Sequence, residues 1–503
     1  MDGLPSQVIT VAAIALLGGI YFVRSRTVSR ARRPPGPSGL PLLGNLLQAP
    51  VKVIPSSFLI QSMQPVVLIG DIRLAKEILE KRSAKFSSRP TIPYVRYHVD
   101  PAQVYWAFSK QNESHFIARR LTAGLMAAVR AGETEPLQQF EALLNVTHLL
   151  DDRGKNWFHH FDRVSASMVL TVAFGLHCPT GQEPDLKEVM VCLTEGIRLA
   201  APSASIINVL PFLDIIPGPM PWRKWARIHR KRDDVLYDKL ITHAVSGEAS
   251  GMNTWAAAFA REDKPEGDQR RLMNQFTGTA ISMHTFILAC ILYPEWIPRA
   301  QREIDAIVGE DRLPSFKDRP RLPYVEAIVR ETLRWRPAVR FGLPHQSTAD
   351  DVVEYKGKEY FIPKGSIIFA VTWAIEHEQE RFENHDMFQP ERFLDDTNNL
   401  KAGYETSAFG FGRRGKLLLY IYLITEIANK LTYHQSDEPD PKTGLPFKYD
   451  DSDSAFTGEL SNGPFKFPAV FVPRSVQRAE VARQEWAECE KDLNVLLPRP
   501  KEK

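Results

Sequence analysis

The apolar positions of this chain fall first into long stretches at helical spacing and then, late on, into short stretches at strand spacing. From Leu74 to Arg82 the apolar residues Leu74, Ile78 and Leu79 recur at helical intervals, and the stretch ends before Phe86-Ser87-Ser88-Arg89-Pro90. Phe116 to Val129 predicts a helix that carries Arg119 and Arg120. Trp157 to Phe174 predicts another, with Phe161, Val164, Met168, Val169 and Val172 on its apolar side. Trp222 to Ala244 is basic and helical, whereas Arg271 to Leu292 is apolar on most faces, as in a buried helix, and stops at Tyr293-Pro294. Val325 to Trp335 predicts a further helix, ended by Pro337. The period then drops to two. Val352 to Tyr355, a turn at Gly357, Glu359 to Ile362, a Pro363-Lys364-Gly365 turn and Ile367 to Val371 read as strands and turns. A helical body followed by a small strand region predicts a mainly α chain with a small β-sheet, an α+β arrangement and not a doubly wound sheet.

A separate apolar run opens the chain. Val8 to Val23 has no charge, and Arg24, Arg26, Arg30, Arg32 and Arg33 follow it. A membrane span needs about 20 apolar residues, which the run approaches if Leu4 and Pro5 are counted. A cleaved signal peptide is the rival reading, but its basic residues would precede the apolar run. An uncleaved single-pass anchor over residues 1–30 is therefore expected, with its basic flank and the body, residues 31–503, on the cytosolic side. Pro34-Pro35-Gly36-Pro37, Gly39 and Pro41 form a stiff break between the two.

Composition adds limits. The 503 residues carry a formal net charge of +3 and no basic stripe with interleaved aromatics, which argues against nucleic acid as a partner. No repeat or Gly/Ser tract divides the body. The four cysteines, Cys178, Cys192, Cys290 and Cys489, are scattered without a C-x-x-C pair, so neither a disulfide framework nor a zinc site of cysteines is expected. Asn112-Glu113-Ser114 and Asn145-Val146-Thr147 match the glycosylation sequon, and a cytosolic body would leave them unused.

The informative chemistry begins at Glu331 and Arg334, three apart on one helix face. Alone, such a pair is weak evidence. Leu343-Pro344-His345 follows, then Phe388-Gln389-Pro390-Glu391-Arg392-Phe393, then Phe409-Gly410-Phe411-Gly412-Arg413-Arg414. This ordered set, with the Pro-rich break, the Phe86–Pro90 stretch, the late Pro464–Ser475 segment and a charged helical tail, resembles the cytochrome P-450 family, most closely its fungal enzymes of secondary metabolism. The resemblance covers nearly all of the chain from Arg33 onward. It implies the cytochrome P-450 fold and a haem-dependent monooxygenase, an oxidoreductase that places one atom of O2 in a hydrophobic small molecule and reduces the other to water. NADPH-cytochrome reductase would supply the electrons, at the endoplasmic reticulum membrane. It also implies that Glu331, Arg334 and Arg392 form a buried ion network, and that Arg119, His345 and Arg413 bind haem propionates. His115 stands where the family usually has tryptophan.

Three departures stand beside these matches. After Phe409-Gly410-Phe411-Gly412-Arg413-Arg414 the family continues to the cysteine that ligates haem iron, but this chain reads Gly415-Lys416-Leu417-Leu418-Leu419-Tyr420. The thiolate is what favours O–O cleavage in this class, and neither lysine nor tyrosine replaces it. The family's acid–alcohol motif is missing between Gln275 and Phe286, where Thr279 has no accompanying carboxylate and His284 reads as a helix-face residue. The tract Val51 to Ser62 is shorter than the family's. Clean losses beside matched flanks suggest missing blocks, from misplaced exon boundaries or true deletions, and hence an incomplete fold. No residue is assigned as catalytic or as a metal ligand. The alternatives are an inactive relic or mis-spliced product with impaired haem binding, and a membrane-tethered scaffold.

Overall fold

The computed structural model describes Pro34, residues 56–61 and 64–101, a few positions between 110 and 123, and residues 132–200, 205–262, 280–411 and 431–497 apart from 405, 438, 441–442 and 459–460. The expected anchor, Arg413, Thr279 and both sequon-neighbouring residues Asn112 and Ser114 lie outside the described residues. Among the described residues no helix is long and apolar enough to cross a membrane.

In chain order the principal elements are β1 (Ser56–Gln61), β2 (Gln64–Ile69), α1 (Glu135–Asp151), α2 (Trp157–Phe174), α3 (Pro184–Ala200), α4 (Pro221–Ser246), α5 (Ala280–Leu292), α6 (Ile297–Val308) and α7 (Pro323–Trp335). They continue with β3 (His345–Gln346), β4 (Asp351–Tyr355), β5 (Lys358–Ile362), β6 (Ile367–Ala370), α8 (Thr372–Glu376), β7 (Leu431–His434), β8 (Val470–Pro473) and α9 (Val476–Glu488). The chain is thus mainly helical with small sheets, as its periodicity predicts.

The four-stranded sheet runs β1-β2-β6-β3, with β2 and β6 parallel and the outer pairs antiparallel. β1 pairs in register with β2 from Ser56↔Ile69 to Gln61↔Gln64, so part of the short Val51–Ser62 tract is used as an edge strand. β4 and β5 form a hairpin closed by Lys356 and Gly357, both at positive φ (51° and 72°). That is the two-residue turn whose twist matches the strands.

The main core joins α1, α2, α5, α6 and α7 with Phe388, Phe393 and α9. α7 sits within it, and its residues Val325, Ala327, Ile328 and Trp335 are fully buried. A second core lies between α2, α3 and α4 and the helix Trp255–Glu262. A third packs the sheet against Ile72, Ile78 and Phe86.

One expectation changes. The helix predicted over Leu74–Arg82 is broken: Ile72–Lys76 is α-helical, Glu77–Lys81 widens to a π-turn, and a new turn covers Ser83–Phe86. The cause is the hairpin: Arg82 and Lys85 both reach Asp351 (3.0 and 2.6 Å), and the Arg82 amide donates to the carbonyl of Glu77 five residues back (3.1 Å). Of the helix predicted over Arg271–Leu292, the described part is Ala280–Leu292. Of Phe116–Val129, residues 116, 117, 119, 120 and 123 are described, and all are helical.

Candidate functional site

The site is organised by the last turns of α7. Pro323 opens that helix at a position where its missing N–H costs nothing. Every residue from Glu331 to Trp335 is buried. Glu331 and Arg334 are both fully buried, and the Glu331 carboxylate accepts from Arg334 Nε (2.6 Å) and Nη2 (2.9 Å). It also accepts from the Gln389 amide (2.7 Å) and from Arg392 Nε (3.2 Å). Arg334 Nη1 donates to the carbonyls of Glu376 (3.0 Å) and His385 (2.8 Å), and Trp335 Nε1 donates to the carbonyl of Asp386 (2.8 Å). Arg392 Nη1 donates to the Glu383 carbonyl (2.7 Å). Burial lowers the Arg392 pKa, and Glu331 works against that shift. The predicted trio of Glu331, Arg334 and Arg392 is therefore one network. Through it, α7 fastens the whole 376–392 segment.

A second clamp escaped sequence reasoning. Glu376, the last residue of α8, is fully buried. Its carboxylate accepts from the Ser407 amide (2.6 Å), Ser407 Oγ (2.8 Å), Thr406 Oγ1 (3.2 Å) and Tyr404 OH (3.4 Å). Burial pushes its pKa up, and the Ser407 hydrogen bonds oppose the shift. The polypeptide entering Phe409-Gly410-Phe411 is thus hung from α8. Gly410 turns it at φ 76°, a conformation open to glycine, and Phe411 packs on the sheet-side core.

The propionate candidates split. Arg413 lies outside the described residues. His345 is half-buried on β3, and its Nδ1 donates to the Phe86 carbonyl (2.9 Å). Arg119 is exposed on its helix. Its charge and that of Arg89, after burial, hold His115 down at about 4, so that imidazole is neutral at pH 7. Arg89 is itself buried and donates to the carbonyls of Leu343 (3.4 Å) and Pro344 (2.7 Å), directly ahead of His345. The structure so brings Arg119, His115, Arg89 and the approach to His345 into one cationic neighbourhood. Arg89 is the member that the Phe86–Pro90 stretch offered and sequence reasoning did not assign.

His284, expected as a helix-face residue, is a buried packing residue. It is buried, stacked on Phe158 at 3.5 Å, and its Nε2 donates to the Phe158 carbonyl (3.1 Å). Burial lowers its pKa to about 3.

The cationic neighbourhood suits the propionates of a haem. The donor set for its axial position does not. No cysteine occurs between Cys290 and Cys489. Cys178, Cys192 and Cys290 are buried thiols whose pKa burial pushes up, to about 12 for the first two. Cys489 sits at the end of α9, where its thiol meets the Trp486 carbonyl. None belongs to the segment after Phe411.

Comparison with known proteins agrees with this picture. The sequence profile of the cytochrome P-450 family matches residues 34–415, ending where the ligand segment departs. The cytochrome P-450 monooxygenase peniB of Penicillium patulum is 29% identical over 97% of this chain and 93% of its own. The cytochrome P-450 monooxygenase 253 of Postia placenta is 30% identical, covering 92% and 93%. The cytochrome P-450 monooxygenase verL of Clonostachys rogersoniana is 28% identical, covering 94% and 92%. These comparisons lend no support to the inactive-relic reading. The chain belongs to the cytochrome P-450 family, the haem-dependent monooxygenases, and resembles its fungal members.

Proposed function

We propose that this chain is a fungal secondary-metabolism monooxygenase of hydrophobic small molecules, fed by NADPH-cytochrome reductase. The observation that carries the reading is the Glu331–Arg334–Arg392 network with its Glu376 clamp, which holds the approach to the ligand segment rigidly although that segment lacks its cysteine. The haem supplies the oxygen chemistry in this family, and the protein supplies ligation, shape and proton delivery. Residues 1–30 anchor the chain in the endoplasmic reticulum membrane, and residues 31–503 form the cytosolic catalytic domain. A second surface supports the membrane placement. Phe212, Ile215, Ile216, Trp225 and Ile228 are exposed beside the basic residues Lys224 and Arg227 at the start of α4. Apolar side chains flanked by basic ones suit the boundary of an anionic bilayer.

The substrate class is tested in the Lys416→Cys variant, which puts a cysteine four residues after Gly412, in the family's register. Hydrophobic metabolites should then perturb the haem Soret band in a dose-dependent way. A flat response across a broad apolar panel, with polar compounds active instead, would overturn it. For the anchor, deletion of residues 1–30 should release much of the protein from microsomes.

A further inference from the structure

We propose that His377, His385 and Asp386 form a binding site for a divalent cation of the zinc type, separate from the family's haem iron. Their ligand atoms all lie within 4.8 Å of one another. The site lies where α8 ends and the segment fastened by α7 begins.

His377 is the anchor. Its ring stacks on Trp373 at 3.8 Å, and its Nδ1 lies 2.9 Å from the Trp373 carbonyl. A carbonyl only accepts, so Nδ1 carries the proton and Nε2 presents a bare lone pair. The residue is 9% exposed, and Nε2 is buried with no hydrogen-bond partner among the described residues. Native structures rarely leave a buried acceptor in that state. An imidazole whose other nitrogen donates to a backbone carbonyl is also the usual arrangement of a metal-bound histidine.

The other two ligands face it. The His385 ring lies 5.4 Å from the His377 ring at 70°. Its Nδ1 also has no hydrogen-bond partner among the described residues and lies 3.3 Å from Asp386 Oδ1. Their backbone is pinned, because the carbonyls of His385 and Asp386 accept from Arg334 and Trp335. Their side chains are freer, at 29% and 73% exposure, so small rotations can bring them to the bond lengths of about 2.0–2.2 Å that zinc makes with nitrogen and oxygen. Solvent reaches this side and would fill the remaining position.

The nearby cations are compensated. Arg334 is paired with Glu331 (2.6 Å) and Arg336 with Asp451 (3.4 Å), while Asp386 brings a negative charge of its own. Two imidazoles and one carboxylate suit zinc or its relatives better than calcium or magnesium, which prefer oxygen. A bound ion would staple α8 to the 385–386 turn and tighten the segment that leads to Arg392.

The full chain should be titrated with Co2+ alone and then with Zn2+. One equivalent of Co2+ should give visible d–d absorption, which Zn2+ displaces. His385→Ala should abolish the signal, Asp386→Asn should weaken binding at least ten-fold, and His434→Ala, an exposed histidine elsewhere, should leave it unchanged. Asp386 is 73% exposed, so its variant keeps the test open even if one at His377 or His385 fails to fold. Absence of a Co2+ band, or binding undiminished in His385→Ala, would overturn the site.

Discussion

Replacing Glu331 by glutamine keeps the shape of the side chain and removes its charge. Four donors converge on the native carboxylate, from Arg334, Gln389 and Arg392, and both charged partners are at most 10% exposed. The amide would retain one acceptor oxygen and would turn an NH2 group toward donors. Breaking a buried pair in this way costs about 3–5 kcal/mol, because an uncompensated charge stays behind. Unfolding entropy of about 2.1 cal/mol/K per residue amounts to about 1 kcal/mol/K for a chain of 503 residues, so the melting temperature should fall by about 3–5 °C. Glu188→Gln is the comparison. That carboxylate pairs with Arg232 at the surface, where both side chains are more than a third exposed or nearly so (39% and 34%), and it should move the midpoint by less than about 1 °C. The assay is thermal unfolding of the full chain followed by the helical circular dichroism signal. If Glu331→Gln melts with Glu188→Gln, the network does not hold the fold. A Glu331→Gln/Arg334→Met double variant should lose less than the sum of the single losses, since it removes both members of the pair.

Other outcomes follow from the same structure. Gly154 has φ 76°, and a Cβ there would lie 2.1 Å from Phe471 Cδ2, so Gly154→Ala should cost at least about 1–3 kcal/mol in a denaturant titration. Asp162 is an acid whose pKa burial raises from 3.8 to about 7, with Lys466 opposing. A raised acid binds more protons folded than unfolded, so its contribution to stability falls as pH rises from about 4 through 7. Melting curves of Asp162→Asn should therefore gain on the parent across that window, and a constant difference would count against the shift. Arg89→Ala should raise the His115 pKa above about 4, read by NMR titration of the imidazole, because it removes one of the two charges that hold it down.

What the sequence disclosed depends on how local each signal is. α2 runs from Trp157 to Phe174 as its periodicity predicts, and Gly175 at φ 72° closes it. The ion trio was legible because two members share a helix face and the third sits in a short motif. α1 was not seen, for its inner face carries Glu141 and Asn145, and Glu141 is tolerated there only because Arg163 reaches it (2.7 Å). Glu376 was equally hidden, since its partners begin 28 residues later, at Tyr404. Arg89 meets Leu343 and Pro344 across more than 250 residues, a distance no spacing rule spans. His377 and His385 are close in sequence, yet only the hydrogen bond to the Trp373 carbonyl fixes which His377 nitrogen keeps its lone pair.

The central claim is that this polypeptide keeps its family's ion network but carries no cysteine in the segment that follows Phe411. A carbon monoxide difference spectrum of the reduced, unmodified full chain tests it most directly. The account predicts no thiolate-type Soret band from this sequence and its appearance in Lys416→Cys. A thiolate band from the unmodified chain would contradict it.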